Sequence, residues 1–435
     1  MAKANKTIFV CSECGNEYST WQGQCRACGA WNSLYQAKTS SVSIKSEPRG
    51  NKKPLKLSQI DTSLASRIKT GISELDNVLN GGIVPGQVIL LAGNPGIGKS
   101  TLLLQIADKI EVDVLYASGE ESESQVALRA ERLNIKNPRL DIISTGSINT
   151  ILDAVDKKML IVDSIQTVYV DDVESSAGSV TQIRESAFKL IEYAKANDIP
   201  VVLVGHITKE GNIAGPKLLE HMVDTVLYLE GDKQHVFRLL RVRKNRFGDD
   251  SEVGIFEMTN DGLIGVEDPS KLLKGGDHDY SGSSTSVAME GNRPIAIEVQ
   301  ALVTKSQFGY AKRAVNGFSL NKLQLLCAVI QKRTGINILD QDVFVNIASG
   351  MQIKEPGIDL AVTTAIISSY LDKKISADIC FFGEVGLAGD IRKVYAHEKR
   401  VKEAKKLGFK KIYTSENLKN ISELFNKIKT DKISV

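Results

Sequence analysis

Between residues 57 and 268, short apolar runs alternate with longer stretches whose apolar residues recur at helical spacing. The runs at 87–92, 112–117, 159–163, 200–205 and 223–230 have the length and near-continuous hydrophobicity of buried strands. Their alternation with amphipathic stretches predicts an α/β domain, a mostly parallel sheet covered by helices. The pattern breaks on both sides. Residues 37–56, rich in Ser, Lys, Gly and Pro, read as a basic linker, and residues 269–284 as a second linker. Beyond it, a strand at 295–303, helices at 322–334 and 359–370 and a basic helix from Arg400 predict an α+β domain over 285–435. Residues 8–36 form a short cysteine module, and no internal repeat is visible.

Composition changes this picture little. A chain of 435 residues exceeds a single core, so two or three folded units are expected, and a formal charge of +3 is too small to argue for any partner. No run approaches the 18 apolar residues of a membrane span, and the polar start lacks the pattern of a secretory signal; a cytoplasmic protein without a membrane partner is the expectation. Cys327 and Cys380 sit in apolar runs and read as core residues, whereas the other four cysteines crowd into one segment.

The strongest chemical signal is Gly93-Asn94-Pro95-Gly96-Ile97-Gly98-Lys99-Ser100-Thr101, which follows a strand and opens a helix. Its glycines let backbone N–H groups curl round a phosphate chain at a helix N-terminus. Lys99 adds a cation for the β and γ phosphates of ATP, and the Ser100 hydroxyl suits a Mg²⁺ ligand. Such a loop needs an acid after a second buried strand for the Mg²⁺ shell, and Asp163 ends the run at 159–163. Glu120, in Ser118-Gly119-Glu120-Glu121-Ser122 after another strand, is the first choice for the base that orients water; carboxylates there also simply favour a helix N-terminus. His206 and Thr208 end a further strand, where a polar group would sense the γ-phosphate or merely be a satisfied polar residue. Lys244 and Arg246, two apart on an extended segment, point the same way and are placed to reach a nucleotide held by a neighbouring subunit, unless they form a solvated basic turn.

Cys11-x2-Cys14 and Cys25-x2-Cys28 match a four-thiolate Zn²⁺ site, each pair on a tight knuckle. Redox CxxC pairs are the alternative, without the βαβ context they need. Trp21 and Trp31 are expected to pack on the knuckles, stacking on nucleic-acid bases being the sharper alternative. Basic residues cluster in the linker and from Arg392 to Lys411, where they suit phosphate tracking or a solvated surface equally.

The order of zinc knuckle, P-loop, Lys244-Asn245-Arg246-Phe247-Gly248 and a C-terminal α+β domain resembles the bacterial RadA (Sms) family of DNA-repair and recombination proteins, over nearly the whole chain. The resemblance implies a RecA-like ATPase core forming homo-hexameric rings on single-stranded and branched DNA. It also implies helicase or branch-migration activity, with a recombinase or replicative helicase as partner. The K-x-R spacing of Lys244 and Arg246 is similar to the trans-acting finger of ring helicases. The C-terminal domain resembles the proteolytic domain of Lon proteases, with two departures. An ungapped register puts Gly357 at the nucleophilic serine and Arg400 at the activating lysine. Glycine offers no nucleophile and arginine cannot act as a base, so a domain without peptidase activity is expected.

Overall fold

The computed structural model describes residues 8–11, 17–26, 29, 31–37, 56, 66–156, 158–206, 218–231, 237–270, 280–306, 310–348, 352–431 and 433. The chain divides into two compact units, residues 1–233 with 237–265 and residues 234–236 with 266–435. Among the described residues no helix is long and apolar enough to cross a membrane.

The cysteine module is a small antiparallel sheet in the order β2-β1-β3, from β1 (Ile8–Cys11), β2 (Glu17–Tyr18) and β3 (Leu34–Ala37). Its core is Cys11, Cys25 and Leu34, with Phe9 and Tyr18 packed against them. Trp21 is 57% and Trp31 71% exposed, and most of the knuckle residues on which they are expected to pack lie outside the described residues.

After the cysteine module the first unit runs α1 (Ser73–Val78), β4 (Val88–Gly93), α2 (Lys99–Lys109), β5 (Val114–Ser118), α3 (Glu123–Arg132), β6 (Leu140–Ser144), α4 (Ile148–Ala154) and β7 (Met159–Asp163). It continues through α5 (Val180–Asn197), β8 (Val201–His206), α6 (Leu218–Met222), β9 (Thr225–Glu230), β10 (Phe237–Asn245), β11 (Val253–Thr259) and β12 (Gly262–Gly265). All nine strands join one sheet, β12-β11-β10-β9-β4-β8-β7-β5-β6, parallel from β9 to β6 and antiparallel from β9 to β12. Strand alternation sends Ile89 and Leu91 to a core shared with α1, α2 and α3, and Val88, Leu90 and Ala92 to a second core with α4, α5 and α6. Each of the Val, Ile and Leu side chains contributes about 1.5–3 kcal/mol on burial, which is why central strands read as unbroken apolar runs.

The C-terminal unit carries β13 (Ser283–Glu290), β14 (Arg293–Lys305), β15 (Arg313–Asn316), α7 (Leu320–Thr334), β16 (Gln341–Ile347), α8 (Asp359–Leu371), β17 (Ile379–Phe381), β18 (Glu384–Val385), β19 (Ile391–Arg392), α9 (His397–Lys406), β20 (Lys411–Tyr413) and α10 (Ile421–Lys429). Six of the strands form a mixed sheet, β15-β16-β14-β13-β17-β20, and β18 pairs with β19. Helix α8 is buried along nearly its whole length, packed on β13 and β14 and touched by α7 and α10. The segment expected to be a linker, 269–284, is folded at both ends. Ser270 is buried and bonded to Glu403, and β13 begins inside the segment with Ser283 and Ser284 buried. Their hydroxyls are satisfied by Glu298 and the Ala361 carbonyl, so a Ser-rich stretch becomes interior strand.

Candidate functional site

Parallel register brings the strand ends level in two pairs. Gly93 at the end of β4 lies opposite His206 at the end of β8, and Ser118 at the end of β5 lies opposite Asp163 at the end of β7. The carboxyl edge of an open α/β sheet is where its loops converge on a ligand. The loop from β4 into α2 passes through two glycines with left-handed φ, Gly96 at 76° and Gly98 at 115°. A Cβ on Gly93 would lie 2.6 Å from the Leu229 carbonyl oxygen, and one on Gly98 would lie 2.7 Å from Met258 Cε. No side chain caps α2, so its first amides face outward from a cradle that only glycine backbone can form.

Lys99 is buried at the start of α2, and its ammonium donates to the carbonyls of Gly93 (2.8 Å) and Asn94 (3.1 Å). The His206 Nδ1 stands 3.1 Å away. Burial lowers the Lys99 pKa to about 8, against the pull of Asp163 and Glu120, which favour the charged form. Asp163 is nearly buried and accepts a 2.6 Å hydrogen bond from the Tyr116 phenol. Glu120 accepts from Ser164 Oγ at 2.6 Å and lies 3.4 Å from His206 Nε2. Glu121 is instead ion-paired with Arg129. Lys99, His206, Glu120, Ser164, Asp163 and Tyr116 thus form one polar line along the strand ends. Sequence reasoning missed Tyr116 and Ser164; the signal for the first was a phenol within an otherwise apolar, buried run. Thr208 lies outside the described residues.

Segment 244–248 leaves the end of β10 beyond a register shift between Val242 and Lys244. Asn245 Nδ2 donates to Asn80, the Phe247 carbonyl accepts from Arg67 at 2.6 Å, and Gly248 has no room for a Cβ beside Asn80. Lys244 donates to the carbonyls of Glu220, His221 and Val223 at 2.8, 3.1 and 2.7 Å, and burial lowers its pKa. Arg246 is exposed and paired with Asp224 at 3.2 Å.

Of the four candidate zinc ligands, Cys14 and Cys28 lie outside the described residues. Cys11 and Cys25 are fully buried, with the Ser33 hydroxyl 3.2 Å and the Tyr18 hydroxyl 3.3 Å from their sulfurs. A hydroxyl within hydrogen-bond reach of each buried sulfur suits a metal site, whose ligands are supported by outer hydrogen bonds.

In the C-terminal unit the structure brings Gly357 and Arg400 together. Arg400, fully buried, donates twice to Glu355 at 2.7 Å each and once to the Val287 carbonyl at 2.6 Å. A Cβ on Gly357 would lie 2.5 Å from the Arg400 guanidinium and equally close to Glu355. The position therefore holds neither nucleophile nor base. Nearby Asp359 is buried against Lys322 at 2.8 Å; burial outweighs that lysine and raises its pKa to about 6.

Three family models match the chain: one described as AAA domain over residues 52–212, one as rubredoxin metal binding domain over 9–36, and one as subunit ChlI of Mg-chelatase over 319–417. The chain is 46% identical over 428 residues to the DNA repair protein RadA of Listeria monocytogenes, covering 96% of this chain and 94% of that protein. It is 46% identical over 430 residues to the DNA repair protein RadA of Bacillus subtilis, at 95% and 93% coverage. The DNA repair protein RadA of Aquifex aeolicus is 45% identical over 422 residues, at 95% and 94% coverage. Among solved structures, that of the RadB recombinase aligns with 46% of this chain and 100% of its own at 22% identity and a TM-score of 0.38.

Proposed function

The chain belongs to the RadA family of DNA repair proteins, and from that premise we propose that it is a DNA-dependent ATPase working as a ring-shaped helicase or branch-migration motor in homologous recombination. The observation that carries this reading is the line from Lys99 through His206 to Glu120 at the carboxyl edge of the sheet. Backbone amides of the loop 93–101 and the Lys99 ammonium hold the phosphates of ATP. Ser100 and Asp163 hold Mg²⁺, which when bound neutralises charge on the transferring phosphoryl group. Glu120 orients the attacking water. Its neighbour Glu121 is unsuited to that task, since Arg129 engages its carboxylate and Ser118 its amide. His206 touches both the phosphate-binding lysine and the base, as a group reporting the γ-phosphate must.

The segment 244–248 supplies a cation to the pocket of a neighbouring copy, which makes the active form a homo-oligomer, a hexamer by family resemblance. Single-stranded and branched DNA are the polymers it acts on in the cytoplasm, with a recombinase or replicative helicase as protein partner. The four-cysteine module holds Zn²⁺. Peptide hydrolysis finds no support, because Arg400 and Glu355 fill the place a nucleophile would need. The test is a forked DNA substrate with ATP and Mg²⁺. Strand separation with ATP turnover stimulated by single strands, and binding that weakens steeply as salt rises, is expected. Binding that leaves the strands paired would reduce the protein to an ATP-dependent scaffold on DNA.

A further inference from the structure

Tyr116 lies on β5, 1% exposed, and its ring belongs to the apolar core beneath the sheet's α2 face. Phenylalanine would fill that volume as well and bring no hydroxyl needing a partner. The chain instead spends the phenol on one atom: it donates to Asp163 Oδ2 at 2.6 Å, a short contact of the charge-assisted kind. Burial and the adjacent carboxylate push the Tyr116 pKa upward, so the phenol remains a donor. Its strand is fixed by pairing with β7 in the register Ala117↔Val162 and Ser118↔Asp163, so donor and carboxylate sit on a rigid frame. Asp163 also lies within electrostatic reach of the buried Lys99 ammonium. An unrestrained carboxylate there would turn to that cation, which would quench both groups.

Resting on the nucleotide-site reading above, we infer that Tyr116 is a positioning residue for the magnesium–nucleotide complex. It ties down one oxygen of Asp163, keeps it from Lys99 and leaves the other oxygen for the metal shell. The residues fit the ion: a buried carboxylate with one oxygen engaged stands at the same carboxyl edge of the sheet as a cradle that admits no Cβ.

The test uses the full-length protein, ADP, and Mn²⁺ as a spectroscopic probe for the Mg²⁺ position. In Tyr116→Phe the Mn²⁺ concentration that half-saturates the ADP complex, followed by electron paramagnetic resonance, should rise roughly tenfold. ADP affinity in EDTA and the thermal midpoint should stay near wild type. In an Asp163→Asn background the same substitution should have no further effect on Mn²⁺, because the phenol acts through that carboxylate. An unchanged Mn²⁺ requirement in Tyr116→Phe would overturn the inference. So would parallel losses of metal-free ADP binding and thermal stability, which mark a purely structural role. If wild-type protein itself bound ADP no better with Mn²⁺ than without, the nucleotide-site reading would fail first and take this one with it.

Discussion

Lys99 in the ATPase unit and Arg400 in the C-terminal unit are both buried cations beside a glycine, the first bonded to the Gly93 carbonyl and the second in room that Gly357 leaves. Their partners differ. Arg400 has a bidentate carboxylate and two carbonyls, which fills the directions in which a guanidinium donates. Lys99 has two carbonyls and an imidazole, none of them an anion, and burial depresses its pKa. Burying a cation costs several kcal/mol unless charge and hydrogen bonds compensate it. The C-terminal site meets that cost internally and is closed structure. The P-loop site meets it only in part, which is how a site built to receive a polyanion differs from a salt bridge.

The substitution expected to act most strongly is Lys99→Ala, which should lower ATP turnover by roughly 10³-fold, measured as phosphate release. Normal turnover would erase the contrast between the two cations. Next, Arg246→Ala mixed with Lys99→Ala should regain a clear fraction of the ATPase rate that each lacks alone, since an intact P-loop and an intact finger then meet across a subunit boundary. Silent mixtures would place Arg246 in its own subunit's service, bonded to Asp224 as observed.

In the C-terminal unit, Arg400→Met leaves Glu355 without its buried partner and should cost about 3 kcal/mol in urea unfolding while ATP turnover persists. Gly357→Ser, which restores a hydroxyl, should still give no casein cleavage and should destabilise by about 1–3 kcal/mol through overpacking against Arg400 and Glu355. The smallest effect concerns pH. The folded pKa of Asp359 is raised to about 6 from an ordinary 3.8, so its protonated form favours the fold. That contribution is complete below about 3.8 and is lost as pH rises through about 6, a fall of about 2–3 kcal/mol opposed by Lys322 and reinforced by Glu384. Asp359→Asn should flatten unfolding free energy between pH 4.5 and pH 7 in that unit; a wild-type slope in the variant would assign the titration elsewhere.

Legibility along the chain followed burial pattern. Strands β4, β5, β7, β8 and β9 were visible as apolar runs because both faces of the sheet are covered, and their ends fell within two residues of expectation. Strand β6 was not visible, since it is an edge strand with no fully buried residue, and β10 reads Phe-Arg-Leu-Leu-Arg-Val-Arg with charged residues between core ones. Strand β13 hid behind serines, of which Ser283 and Ser284 find hydroxyl partners only in the folded interior.

The sequence by itself determined the phosphate loop, the acid at the end of its partner strand, the cysteine spacing and the absence of a nucleophilic side chain at Gly357. Each depends on residue type at short range, where backbone geometry leaves few choices. Tertiary structure decided which glutamate faces the lysine, that His206 joins the two, that a phenol holds Asp163, and that Arg400 is neutralised by Glu355. Those pairings link residues distant in sequence through strand register, and register is a property of the whole sheet.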